Sequence, residues 1–172
     1  MKKILALVLA LSMVLCSVAA LAEGYGLGVQ TSIGSSKPAS AEKDGTAQVD
    51  STICALVVDD EGKIVSCLFD VAQTKVAFNA AGEITADMTA VIKSKQEKGD
   101  EYNMRPASPI GKEWYEQMTA LESWCIGKTV EEVLATPLDE SGKATDADLV
   151  SGCTVHINAQ LKALEKAAAN AK

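Results

Sequence analysis

The sequence predicts an α+β fold in which antiparallel β-hairpins come first and packed helices follow. Three observations lead there. Between residues 24 and 79, β-branched and apolar runs are separated by short glycine-containing turns. From residue 108 onward the apolar residues recur at helical spacing. The two patterns do not alternate as parallel βαβ units would require.

The opening strand covers residues 24–33 (GYGLGVQTSI), where glycine interleaved with β-formers predicts a close backbone approach or a bulge. A polar loop runs from there to Gly45. Residues 46–58 and 64–71, rich in β-branched side chains, flank Asp59-Asp60-Glu61-Gly62-Lys63, which predicts a hairpin with Gly62 at positive φ. If Asp59 faces Lys63 across that turn, Cys54 lies opposite Leu68 and not opposite Cys67, so no direct cross-strand Cys54–Cys67 bridge is expected. Residues 74–79 predict a further strand, followed by the turn Ala80-Ala81-Gly82-Glu83 and a short run near Ile84. Residues 93–104 (KSKQEKGDEYNM) are charged and unpatterned and read as a surface loop.

Helix signals begin at Ser108, a capping residue, and Pro109, suited to the first turn. Ile110, Trp114, Met118, Leu121 and Cys125 then mark one apolar face, closed by Gly127. Thr129-Val130-Glu131-Glu132 is a capping box for a short helix through Ala135 that Pro137 stops. The final helix places Ile157, Leu161, Leu164 and Ala168 on one face. No internal repeat is evident.

Composition narrows the function. The 172 residues carry 16 basic and 23 acidic side chains, a net charge of −7, with one histidine. An acidic surface repels phosphate backbones, so nucleic acid is not an expected partner. A single histidine and the lack of any C-x-x-C disfavour zinc sites, thioredoxin-type dithiols and c-type haem, and no metal site is expected. No G-x-S-x-G, P-loop or H-E-x-x-H motif supports a hydrolase.

Lys2 and Lys3 precede an uncharged apolar run that ends at Ala20-Leu21-Ala22 before Glu23. This is the pattern of a secretory signal peptide over residues 1–22, cleaved after Ala22, with one domain over 23–172. No basic stop-transfer flank follows, so no stable membrane span is expected after cleavage. Cys16 offers a competing lipoprotein reading, but Leu15 before it is not the small residue such signals use. The expected location is extracytoplasmic, in a bacterial cell envelope or secreted. Cys54, Cys67, Cys125 and Cys153 remain, and their pairing is left open.

The stretch richest in chemistry is Asp148-Leu149-Val150-Ser151-Gly152-Cys153-Thr154, just before the final helix. It resembles the flavin-attachment motif of the FMN-binding domain family, roughly D-x-x-S-G-A-T. Val57-Val58-Asp59-Asp60-Glu61-Gly62-Lys63-Ile64 looks like that family's early β-meander, and the likeness is weakest from Asn79 to Met104. The resemblance implies that Thr154 carries FMN through a phosphoester, added from FAD by a separate flavin transferase, in a chain that exchanges electrons with membrane or surface partners. Ser151 and Gly152 would let the phosphate approach main-chain donors, a helix N-terminus would favour the anion, and Asp148 would supply a further polar group. Cys153 stands where the family has alanine, and Val155-His156-Ile157 also departs from it.

Two alternatives accompany that reading. The stretch serves as an ordinary helix entry whose Ser and Thr satisfy free N–H groups, in an exported binding or structural module of the same fold without flavin. Alternatively, Cys153 is a redox thiol near a helix N-terminus. Of the two tryptophans, Trp114 reads as core and Trp124 as the better candidate to face a ligand.

Overall fold

The computed structural model describes residues 23–172, so the expected signal peptide and Cys16 lie outside the described residues. Strands β1 (Gly24–Ser32), β2 (Gly45–Val58) and β3 (Ile64–Phe78) form an antiparallel sheet in the order β1-β2-β3. Five helices follow: α1 (Lys95–Lys98), α2 (Trp114–Cys125), α3 (Val130–Leu134), α4 (Ala147–Val150) and α5 (Asn158–Ala169). The α+β architecture is therefore as the sequence predicts. Among the described residues no helix is long and apolar enough to cross a membrane.

One face of the sheet makes the core. Cys54 and Leu56 of β2 and Cys67, Phe69 and Val71 of β3 pack with Trp114, Met118, Leu121 and Cys125 of α2 and with Leu161 and Leu164 of α5. On the opposite face Tyr25, Leu27 and Leu68 are exposed, because no helix among the described residues covers it. All four cysteines of this region are buried free thiols.

The glycines of β1 mark a close approach and not a bulge. A Cβ on Gly26 would stand 2.0 Å from the Ala167 carbonyl oxygen, and one on Gly28 would stand 2.0 Å from that of Ala163. Helix α5 thus lies directly on the strand backbone, with alanines on its own side of the contact. Its side chains also serve the strand's free edge: the Lys166 ammonium donates to the Val29 carbonyl at 2.9 Å and the Asn170 amide to that of Leu27 at 3.3 Å.

Several sequence expectations need correction. Residues 64–71 and 74–79 are one strand, β3, which pairs along the whole of β2. The turn holds Asp59 against Lys63 with Gly62 at φ 77°, as expected. Yet a bulge between Val57 and Val58 shifts the register, so Cys54 faces Phe69, not Leu68, and Cys67 faces Leu56. Ile64 is held beyond the hairpin: its N–H donates to the Lys128 carbonyl and its own carbonyl accepts from Gly127, each at 2.8 Å. Helix α2 begins at Trp114, well after Ser108, because Gly111 takes φ 63° and Glu113 is extended with its N–H donated to the Glu116 carboxylate (2.7 Å), while the buried Glu113 carboxylate accepts the N–H groups of Met104 (2.8 Å) and Arg105 (2.9 Å). The capping box at Thr129 is present.

A local repeat escaped the sequence reading. Asp59, Asn79 and Asp139 each open the same five-residue turn, in which the side-chain oxygen accepts the N–H groups two and four residues on. A glycine at φ 77°, 83° and 80° respectively occupies the fourth position. Asp139 has its carboxyl held below the usual value, chiefly by the Lys143 N–H it accepts.

Candidate functional site

Thr154 stands on the wall of a cavity of about 650 Å³ between the helical layer and one end of the sheet. That volume falls within the range of small-molecule and cofactor sites. Residue 154 follows α4, whose Asp146 caps the Asp148 and Leu149 N–H groups, and precedes α5 by an extended segment bridged to Lys143 through His156. The N–H and hydroxyl of Thr154 both donate to the Oε1 of Gln117, at 2.8 and 3.2 Å. Gln117 is fully buried, and its own amide donates to the Ser108 hydroxyl (3.1 Å) and the Lys112 carbonyl (3.2 Å). The Thr154 hydroxyl proton is thus turned toward an amide oxygen, which leaves the lone pairs of its oxygen free. An amide oxygen is a poor base, so any reaction that removes this proton needs a base from outside the chain.

The remaining walls come from distant parts of the sequence. Trp114 and Tyr102 supply aromatic surface, while Lys95, Lys143 and His156 supply cationic or ionisable groups. The one acidic wall residue, Asp50, accepts the side-chain amides of Gln48 and Gln73 at 2.8–3.0 Å. Two lysines without an ion pair among the described residues outnumber the one carboxylate of the wall, which makes the cavity attractive to an anion in a chain that is acidic overall. Ala159 and Gln160, in the first turn of α5, also line it, and no side chain caps that turn.

Of the motif residues Asp148, Ser151, Gly152, Cys153 and Thr154, Thr154 alone lines this cavity. Ser151 is exposed, its hydroxyl donating to the Asp148 carbonyl at 2.7 Å, and Asp148 is exposed on α4. Gly152 is required by packing, since a Cβ there would stand 2.6 Å from the Cβ of Ala120 on α2. The expected main-chain cradle for a phosphate is not formed by this stretch: the N–H groups of Ser151, Gly152 and Cys153 bond to carbonyls of α4, and that of Thr154 to Gln117. Nor does Thr154 sit at a helix N-terminus, because α5 starts at Asn158.

Trp114 is core, as the sequence predicts, but Trp124 does not face the cavity as expected. Trp114 is both core and cavity wall, at 3% exposed, whereas Trp124 packs under the Lys128 ammonium, 4.2 Å from its ring centre and away from the cavity. Gln117 was missed. Its only sequence signal is a polar residue inside the apolar face of α2, one position before Met118.

Cys153 is 1% exposed and lies in the core, where burial pushes its thiol up to about 11. A thiolate is therefore disfavoured, which removes the redox-thiol alternative. Burial pushes the Cys54 thiol up to about 12 as well. Both thiols stay protonated in the fold at a pH where the unfolded chain, with thiols near their ordinary 9.0, already ionises. Stability is fully present below about pH 9 and falls as the pH rises through the shifted values. Urea unfolding at about pH 8 and about pH 10 should show a lower midpoint at the higher pH, with a smaller drop in Cys153→Ala; identical drops in the two proteins would contradict this.

No family model matches the chain, and no solved structure matches it. A curated protein called chlorophenol reductase, from Desulfitobacterium hafniense, is 35% identical over a 130-residue alignment that covers 56% of this chain and 37% of that relative. The chain thus spans well under half the length of the curated relative it matches.

Proposed function

We propose that this chain is an extracytoplasmic electron-carrier domain that holds FMN covalently through Thr154. The observation that carries the reading is the Thr154 hydroxyl, oriented by a buried amide on the wall of a cavity with aromatic and cationic sides. The residues present fit such a group. Thr154 would bear the phosphoester, Lys143 and the uncapped first turn of α5 would offset phosphate charge, and Trp114 and Tyr102 would offer apolar surface to a planar ring. A relative named as a reductase supports redox work in general terms. The flavin, when bound, supplies the electron chemistry; the chain positions it, shields it from water and sets its surroundings.

Attachment requires a partner. The Thr154 oxygen attacks the FMN-side phosphorus of FAD, the Oγ–P bond forms, the diphosphate bond breaks and AMP leaves. The hydroxyl proton passes to a base of the flavin transferase, because Gln117 cannot hold it. Electrons then come from, and pass to, membrane or surface redox partners.

A second reading is favoured by the filled hydrogen bonds of residues 151–154, which leave no main-chain cradle there. In that reading the protein is an exported binding module of the same fold. Intact mass separates the two. Protein produced with a flavin transferase should gain the mass of FMN less water, and Thr154→Ala should gain nothing. An unmodified wild-type mass in a host that flavinylates another chain would leave the binding module standing.

A further inference from the structure

Residues 93–104 look like an unpatterned loop in sequence, yet they build one wall of the cavity and fix a cation there. Lys95 opens α1, whose start is set by the capping box of Ser94 and Glu97. The Gln96 N–H donates to the Asp70 carboxylate and its amide to the Phe69 carbonyl, each at 3.0 Å, so the turn that carries Lys95 is tied to β3. From that anchor the Lys95 ammonium lies 4.9 Å from the centre of the Tyr102 ring and 5.2 Å from that of Trp114. All three side chains line the cavity that Thr154 enters.

The charge of Lys95 is uncompensated. Among the described residues no carboxylate forms an ion pair with it, although nearby Lys93 pairs with Glu101 at 2.7 Å. The acidic residue of the cavity, Asp50, accepts two neutral amides and forms no ion pair with Lys95. Aromatic faces hold an ammonium without neutralising it, so an anion between these walls would meet a full positive charge.

We infer that Lys95 raises the reduction potential of the group held at Thr154, by facing the negative charge that group gains on reduction. The inference rests on the flavin reading. A flavin ring that takes two electrons from a reductant such as dithionite and one proton from water gains one negative charge. A fixed cation beside the ring stabilises that charge relative to the neutral oxidised ring. Lys95 is a positioning residue in this role and takes no part in attachment.

The test is the midpoint potential of wild type, Lys95→Gln and Lys95→Arg, each first shown by intact mass to carry the flavin. Lys95→Gln should shift the reduction equilibrium roughly tenfold toward the oxidised form, which for a two-electron couple is about 30 mV to lower potential. Lys95→Arg should stay near wild type. A fully loaded Lys95→Gln with the wild-type potential would overturn the inference and leave the attachment reading intact. If Lys95→Gln does not load, Lys95→Met takes its place. Failure of both neutral variants where Lys95→Arg loads would assign Lys95 to flavin capture and also overturn the inference. A wild-type chain that never gains flavin would remove both readings together.

Discussion

Gly28→Ala is expected to lower the melting temperature by about 10 °C, because the new methyl group has no room. Its Cβ would stand 2.0 Å from the Ala163 carbonyl oxygen and 2.5 Å from the Ala167 N–H nitrogen, both backbone atoms of α5. Neither can move without lifting the helix from the strand. Overpacking of this kind costs about 3 kcal/mol or more, and in a chain of this length each kcal/mol moves the melting temperature by about 2–4 °C. Gly34→Ala is the matched control, since the nearest heavy atom there is a side-chain oxygen at an ordinary 3.4 Å. Circular dichroism melts should separate the two variants; equal melting temperatures would show that α5 does not rest on the β1 backbone.

Gln117→Leu should be the second large effect, and it should act on stability and on flavin loading at once. The substitution is close in volume but removes an acceptor for the Thr154 N–H and hydroxyl and a donor to Ser108 and Lys112. A buried N–H left without a partner costs about 1–3 kcal/mol, and two polar ends are lost together, so a fall of roughly 2–4 kcal/mol is expected in urea unfolding. Loading by a transferase should fall further than stability explains, because the Thr154 hydroxyl is no longer oriented. Measured at a temperature where the variant is folded, loading at the wild-type rate would show that Gln117 has no part in presenting Thr154.

The order of strands and helices is legible in the sequence because period-2 and helical spacing are local properties. So are the Asp59–Lys63 turn and the Thr129 cap, whose hydrogen bonds close within five residues. The register of the hairpin is not. It depends on Ile64 bonding to Gly127 and Lys128, and nothing near residue 64 encodes that contact. The start of α2 is hidden too: Ser108 and Pro109 are sound capping residues, but Gly111 takes φ 63° and the extended Glu113 donates its N–H to the Glu116 carboxylate. Thr154 is legible by motif, whereas Ser151, Gly152, Cys153 and Asp148 turn out to serve packing and local bonding. The cavity is invisible in one dimension, since Asp50, Lys95, Trp114 and Thr154 meet only when sheet and helices are assembled.

The seating of α5 on β1 also dictates the order in which the chain can fold. The bond from Lys166 to Val29 spans 137 positions, and Tyr25 exchanges backbone bonds with Lys172. The β2–β3 hairpin, closed by a five-residue turn, can form while the chain is still being made. β1, by contrast, has its edge and its glycines covered only when the last helix arrives. Such long-range pairing slows folding and keeps the first strand unprotected until α5 has been made. A chain truncated before Asn158 should therefore retain a hairpin but leave β1 exposed to proteases, as limited digestion would reveal.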